Sequence, residues 1–531
     1  GQCAACGNVN PEQIFDILEA RMVDEYGNET DQRRIGPEAW NEVFRAQMDA
    51  RSKSIPTNDE VPKSTFVPPG VLKQFNVFWT RDVLSKLANR QYVLINLLEA
   101  PVLAFIMAFF LRYYRTGHGT LGEYVFRHNE NLPQFLFISV IVALFLGLTV
   151  SAEEIIRDRR ILQRERFLSL SRSSYILSKV AIMFGISAVQ TLLFTVVGTL
   201  MLGIEGMTLV HWAVLFSASC FANMLGLNVS ASCNSAKVIY ILIPVLIIPQ
   251  LLFSGIIVKF DKLHPWFANE RSVPWIGNVM ASRWAYEAMA VTQFTSNAYE
   301  RNFYAFDQRM KTANWKKDLW VRELKNHSQE VRRQINGEGK ATDIGYRLDL
   351  IRNEVAQEQV SVKGFTFPDL DQLTPATVTI PVLDELDAAL QTLTLHYRSK
   401  YQNAEREKEK RIAALTATPA ARAAYFALID GHRNENLADV LTNKNDVNVI
   451  VEYDGSLVQK SDPIYLDPAR GGLFDGHFYA PTKLFLGFRL GTLWANILVI
   501  WGMTMLFYLT LQIDLFPRLL KRFSGAPKAA K

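Results

Sequence analysis

The sequence predicts an α-helical polytopic membrane protein: six transmembrane helices, with a large, mainly helical α+β extracytoplasmic insertion between helices 5 and 6. Three observations carry this expectation. Six apolar stretches approach the ~20 residues that a helix needs to cross the hydrocarbon: Tyr92–Leu111, Leu132–Ser151, Tyr175–Leu202, Leu209–Val229, Val238–Val258 and Thr492–Leu511. The first five follow one another closely, whereas 233 mostly polar residues separate Val258 from Thr492. Basic residues gather in alternate loops, as they do on the cytoplasmic side of a membrane. The mean hydropathy of +0.04 hides the spans, because much of the remaining chain is soluble in character.

Those basic residues set the orientation. Lys73, Arg81, Lys86 and Arg90 precede the first span. Arg157, Arg159, Arg160, Arg164, Arg166 and Arg172 lie between the second and third, and Arg518, Lys521, Arg522, Lys528 and Lys531 follow the sixth. The link Gly203–Thr208 has no Lys or Arg. The first outer loop dissents mildly with Arg112, Arg115 and Arg127, offset in part by Glu123 and Glu130. Both termini are therefore expected in the cytoplasm and the insertion outside. The net charge of +5 sits where a cytoplasmic membrane face places it and calls for no nucleic-acid partner.

The elements follow in order. Residues 1–70 are polar, carry no signal peptide and begin at Gly1, which reads as a cut start. Residues 10–26 read as a helix capped by Asn10 with Pro11 at its first position, and Gly36-Pro37-Glu38 opens another with Trp40, Phe44 and Met48. Two such helices cannot bury their faces alone, so residues 1–50 are expected to be the tail of a larger domain, and the proline-rich stretch 51–70 a linker. Residues 71–90 form an amphipathic helix, with Leu72, Phe75, Trp79 and Leu87 opposite Lys73, Arg81, Lys86 and Arg90, suited to lie along the interface. Residues 91–258 hold the first five spans, with a charged cytoplasmic loop at 152–174.

Glu99 is the odd residue of the first span, ~10 Å along the helix, where an ionised carboxylate is costly unless paired. It is either a proton- or cargo-sensitive group or, more plainly, a carboxyl bonded to Asn96 or to Asn223 or Asn228. Cys3 and Cys6 supply half of a four-ligand zinc site with no visible second pair, or are ordinary thiols. Residues Lys259–Ala480 have no cysteine, so disulfides do not hold them. No phosphate-binding loop, nucleophile elbow or zinc-protease motif occurs. No catalytic residue and no metal site are assigned.

The loop at 152–174 carries a specific resemblance. Glu153-Glu154-x-x-Arg157-Asp158-Arg159-Arg160, then Arg164-Glu165-Arg166, then Ser174-Tyr175-x-x-Ser178-Lys179 resemble the membrane domain of ABC transporters of the G (white-type) subfamily, ABC-2 type half-transporters. Further landmarks agree in order: Asn10-Pro11-Glu12-Gln13-Ile14-Phe15, the interfacial helix, Phe253-Ser254-Gly255, Pro274-Trp275 and Ser282-Arg283-Trp284-Ala285-Tyr286-Glu287-Ala288. The similarity covers roughly residues 8–295 and 484–523. It departs from the family in lacking the ATPase domain and in the length of the outer segment.

The resemblance implies a G-type ABC exporter fold that works as a dimer with a second copy or close homologue, driven by a nucleotide-binding domain that holds ATP and Mg, of which residues 1–50 are the tail. Arg157, Arg160, Arg164, Glu165 and Arg166 would couple to that motor; on charge alone they also read as a solvated positive-inside loop. By analogy Ser139, Ala143, Leu146 and Gly147 of span 2 and Ile247, Ile248 and Leu251 of span 5 line a shared cavity, or merely pack helices and face lipid. Ile256 and Ile257 occupy the place of an apolar exit plug. Residues 259–296 resemble the family's re-entrant outer segment, with Trp266, Trp275 and Trp284 at interfacial depth.

Residues 297–480 are expected to fold separately, with helices at Lys316–Ile335, Asp343–Gln359 and Pro381–Leu415, a strand at Val447–Tyr453 and a hairpin turn at Asp454-Gly455. The function expected is the transmembrane subunit of an ATP-driven exporter of a hydrophobic or amphipathic compound, in contact with membrane lipids. The alternative is a mechanotransmitter that acts on an envelope protein through the outer domain and carries nothing across. A sensor or scaffold without a motor is disfavoured by the charged loop.

Overall fold

The computed structural model describes residues 11–49, 69–117, 120–165, 170–233, 235–338, 343–468 and 472–523, and the chain divides into two units at Val67/Pro68. Asn10, the linker at 51–68, Cys3, Cys6, Arg166, Lys528 and Lys531 lie outside the described residues.

The first unit holds helix Pro11–Glu19, the antiparallel hairpin Arg21–Val23 with Glu29–Arg33, and helix Pro37–Phe44 running into a wide turn at Arg45–Asp49. The helix expected through residue 26 stops at Glu19. Asp24 accepts hydrogen bonds from the amides of Tyr26 (2.9 Å) and Asn28 (2.8 Å), and Gly27 takes φ +85°, so an Asx-type turn folds the chain back. None of its described side chains is buried.

The second unit begins with a connecting helix, Val71–Ala88. Asn89 breaks it and caps the first apolar helix, Arg90–Leu111, through a 3.1 Å bond from the Tyr92 amide. The second apolar helix, Leu132–Ala152, turns at Glu153 into the helix expected to couple, Glu154–Arg164, labelled the coupling helix after that expectation. The third is Arg172–Leu202, the fourth Thr208–Ser232, the fifth Ala236–Leu252 and the sixth Thr492–Gln512. Five are long and apolar enough to cross a membrane; the fifth, at 17 residues, is shorter. The expected span 238–258 ends early because Phe253-Ser254-Gly255 turns at a glycine with φ +82°.

Small residues let the helices close on one another. A Cβ on Gly147 would lie 2.4 Å from the Ser219 carbonyl, and one on Gly226 2.1 Å from Ser151 Oγ, so the second and fourth apolar helices meet almost backbone to backbone. The first turns Ala100, Ala104 and Ala108 inward at four-residue spacing and leaves Leu98, Phe105 and Phe109 exposed. Along the third, Thr191, Thr195 and Thr199 each donate to the carbonyl four residues back, at 2.6, 2.7 and 2.8 Å.

Helix Ala281–Thr295 is buried from Ala281 to Phe294, wedged among the second, fourth and sixth apolar helices. Trp266 and Trp275 are exposed, but Trp284, expected at interfacial depth, is fully buried against Arg283 and Phe474. Beyond it, Tyr304–Trp315 continues through a wide turn, Lys316–Trp320, into Val321–Ile335, so this helical run starts before the expected Lys316. Ile344–Ser361 is capped by Asp343, and Ile380–Leu415 is the longest helix. Pro419–His432 and Glu435–Leu441 follow. The strand at Ile450–Tyr453 pairs with Ser456–Gln459 around Asp454 (φ +49°) and Gly455 (φ +63°), and a second hairpin joins Thr482–Phe485 to Phe488–Gly491.

These helices enclose a core of their own, with Trp320, Leu324, Leu348, Ile351, Leu383, Leu386 and Leu390 all sealed. The expectation that 297–480 stands apart is nevertheless corrected. Leu437, Leu441, Ile464 and Tyr465 join the core of the apolar helices. Asn434 donates to the carbonyls of Phe126 (2.9 Å) and Asn129 (2.8 Å), and Arg127 bonds Glu435 at 2.8 Å. The root of the segment is part of the helical bundle.

Candidate functional site

The connecting helix is amphipathic with its polar side inward. Gln74, Phe78, Asp82 and Lys86 recur every four residues and turn toward the bundle, while Leu72, Trp79 and Leu87 are exposed. Lys86, expected on the solvent face, is buried because it enters an ion cluster. Its Nζ reaches Asp82 Oδ1 (2.9 Å) and Glu154 Oε2 (2.8 Å). Lys179, two turns inside the third apolar helix, contacts the same two carboxylates at 3.0 Å and Asp158 Oδ2 at 2.8 Å. Arg157 bonds Glu154 Oε1 at 2.9 Å, and the Tyr175 hydroxyl donates to Asp158 at 3.1 Å.

Three cations thus meet three carboxylates, contributed by the connecting helix, the coupling helix and the third apolar helix. Burial pushes the Asp82 carboxyl up, but Lys179 and Lys86 outweigh it and hold it below the ordinary range. Ser230 Oγ accepts from the Ile155 and Ile156 amides (3.0 and 3.1 Å), and Arg159 donates to the carbonyls of Ala231 and Cys233, which fastens the coupling helix to the end of the fourth. No nucleophile or general base is set up in the cluster; its ion pairs tie three helices together.

Of the residues expected to couple, Arg157 belongs to this lock. Glu165 accepts from Arg81 of the connecting helix at 2.9 Å, and Arg160 and Arg164 are exposed. Beside them opens a groove of 490 Å³, floored by Phe78, Ile155, Leu162, Tyr175, Ile176 and Leu511 and rimmed by Glu165, Arg159 and an Arg172–Asp514 ion pair.

The expected cavity residues fall on two different faces. Ser139, Ala143, Leu146 and Gly147 are buried inside the protomer; Gly147 abuts the fourth apolar helix, and Ser139 Oγ donates to the Phe135 carbonyl at 2.6 Å. That part of the expectation is corrected: the small residues that mimic a cavity wall are the ones that let helices pack. The open stripe of the second helix runs instead through Ile138 and Phe145. In the fifth, Ile248 is open, with Ile247 and Leu251 half-buried. Pro244 and Pro249 interrupt this helix, and Gln250 secures its end by accepting from the Ser282 amide at 3.0 Å. Ile256 is half-buried and Ile257 exposed. Glu99 is half-buried and forms no hydrogen bond or ion pair among the described residues. Its expected partners bond elsewhere: Asn96 to Tyr92 and Gln190, Asn223 to Ser187, and Asn228 to Met224 and Phe507.

A family model for the ABC-2 type transporter matches residues 73–294, from the connecting helix to the end of the buried helix Ala281–Thr295. Residues 73–294 are thus similar to an ABC-2 type transporter membrane domain. The chain is also 30% identical over 171 residues to the ABC transporter ATP-binding/permease protein Rv1747 of Mycobacterium tuberculosis, an alignment covering 30% of this chain and 18% of that protein. The chain therefore spans under a fifth of that relative's length. Together with the apolar helices, these likenesses are consistent with a multi-pass membrane protein.

The helical bundle closes, at the end opposite the coupling helix, on a second ion cluster that sequence reading missed. Glu287, fully buried, receives Lys483 Nζ at 2.8 Å and Asn496 Nδ2 at 2.9 Å, with Arg283 at 3.7 Å. Arg283 lies over the Trp284 ring at 3.8 Å. Burial pushes Glu287 up, but Arg283 and Lys483 prevail and hold it below the ordinary carboxylate range. Burial and Arg283 lower Lys483 to about 8 despite Glu287. The signals were a charged pair four residues apart in an apolar helix and a lone lysine just before the sixth apolar helix.

Proposed function

We propose that this chain is the transmembrane subunit of a G (white-type) ABC half-transporter that exports a hydrophobic or amphipathic compound, with ATP and Mg held by a nucleotide-binding domain. The observation that carries the reading is the three-helix ion lock. A motor that pushes the coupling helix displaces the connecting and third apolar helices with it, because parting them would strand buried charges at a cost of ~3–5 kcal/mol per broken pair. The coupling side then faces the cytoplasm, in accord with the arginine count of its loop, in a cell's inner membrane.

Two copies would complete the pathway. The open apolar faces of the fifth helix, around Ile248, and of the second, around Ile138 and Phe145, support a dimer that encloses an apolar cavity. Ile256 and Ile257 would sit at its outer exit. Six spans, re-entrant residues 259–296 and an outer segment at 297–480 complete the proposed topology. Whether that segment also meets an envelope protein is the mechanotransmitter alternative, which predicts stimulated ATP turnover without cargo movement.

The test is a charge swap at the docking edge. Glu165→Arg should abolish substrate-stimulated ATP turnover in the assembled transporter while membrane insertion stays normal. Arg81→Glu in the same chain should restore part of it. Turnover and transport unchanged in Glu165→Arg would remove the coupling assignment.

A further inference from the structure

The hairpin that leads into the sixth apolar helix ends in side chains that its own fold does not need. Phe485, Leu486 and Phe488 are 40, 83 and 75% exposed. Leu486 holds φ +48° beside Gly487 at +83°, a two-residue turn in which Asn-Gly is the ordinary choice. A leucine there answers neither turn chemistry nor packing within the chain.

The root of the hairpin fixes its depth. The Thr492 amide donates to the Pro481 carbonyl at 3.1 Å, and Lys483 and Asn496 share a single oxygen of Glu287. The hairpin therefore leaves the protein at the level where the sixth apolar helix begins. Trp494, 64% exposed in the first turn of that helix, marks the same level, since tryptophans concentrate at membrane–water boundaries. Phe485 pairs with Phe488 on the face that carries Lys483 and Leu490 at the root, so the inward face overhangs the edge of the protein. Four-residue strands carry the tip ~13 Å outward.

We propose that Phe485-Leu486-Gly487-Phe488 inserts into the headgroup–acyl boundary of the lipid leaflet beside the start of the sixth apolar helix. The hairpin is a lipid-binding finger that fixes the root of the segment to the membrane surface. The occupant is lipid because the apolar tip is continuous with a membrane-crossing helix and level with its interfacial tryptophan. The inference needs only that this helix crosses a membrane, and not the exporter reading.

The test is nitroxide labelling of Leu486→Cys in the full chain, with Cys3, Cys6, Cys220 and Cys233 replaced by alanine, in phosphatidylcholine vesicles. Collision rates with oxygen and with a water-soluble nickel chelate are compared with those at Asp454→Cys on the other hairpin tip. An oxygen-to-nickel ratio several-fold above that of Asp454→Cys is expected. A ratio equal to that of Asp454→Cys would place the tip in water and overturn the proposal. Dipolar broadening between labels on two copies would assign the tip to a dimer contact and overturn it equally.

Discussion

The apolar helices and the domain core at residues 313–457 have similar insides, apolar with a few hydrogen-bonded or ion-paired charges such as Glu354 and Glu358 in the latter, and opposite outsides. Among the apolar helices the sealed interior includes Lys179, Glu154, Arg283 and Glu287, while Leu98, Phe105 and Phe110 are 47, 52 and 76% exposed. In the 313–457 core, Leu386, Leu390 and Leu393 are sealed, and Arg332 pairs with Asp384 and Asp387 on the surface. The same physics gives both. Lipid accepts leucine and rejects charge, so charges in a membrane helix retreat into the bundle and find partners; water reverses the preference. Exposure thus means something different in the two regions.

The largest test of that contrast is Glu287→Met, which leaves Arg283 and Lys483 buried without their counter-charge. It should cost about 3–5 kcal/mol, read as thermal unfolding in detergent. Lys483→Met should cost clearly less, because Arg283 and Asn496 still serve the carboxylate. An equal loss in the two variants would show that the cluster is not organised around Glu287. In the 313–457 core, Leu386→Ala should cost about 2–5 kcal/mol through transfer and cavity terms.

Next in size is a pH effect. Burial raises Glu300 to about 7, against the opposing charge of Arg433 and with Asp307 adding to the rise. A carboxyl raised above its ordinary 4.5 binds its proton more tightly when folded, so the contribution of Glu300 to stability is greatest below pH 4.5 and is lost as pH climbs through 7. The fall should approach ~3 kcal/mol by pH 7, and Glu300→Gln should flatten it in a denaturation series at fixed pH. Smallest of all, Leu98→Ala on the exposed side of the first apolar helix should change stability by less than about 0.5 kcal/mol. A loss like that of Leu386→Ala would mean that this face is packed against protein.

The sequence was most readable where one periodicity ruled. Five apolar helices and the long helix Ile380–Leu415 came out close to their final bounds, and Asp454-Gly455 was legible as a turn because its chemistry is local. Faces were harder. Ser139, Ala143 and Gly147 resemble a cavity wall in sequence, yet small residues are also what close helix contacts require, and only the packing decides. Lys86 read as a surface cation because Glu154, the carboxylate that draws it into the bundle, lies 68 residues away. The hairpin before Thr492 escaped notice because its turn is built on leucine rather than Asn or Asp.

The hydroxyl stripe of the third apolar helix has a mechanical consequence. Thr191, Thr195 and Thr199 spend their donors on their own helix, each on the carbonyl one turn below. Thr191 and Thr195, satisfied in this way, offer their neighbours mainly methyl groups. Ser187 is different: its oxygen accepts from Asn223 at 2.7 Å and from Ser219 at 2.8 Å, tying the third helix to the fourth. Further along, the Trp212 indole donates to the Ala188 carbonyl at 3.1 Å and Thr199 Oγ1 lies 3.2 Å from Thr208 Oγ1, so the third and fourth helices are stapled at intervals along their length, with methyl-lined contact between the staples, rather than hinged at one point.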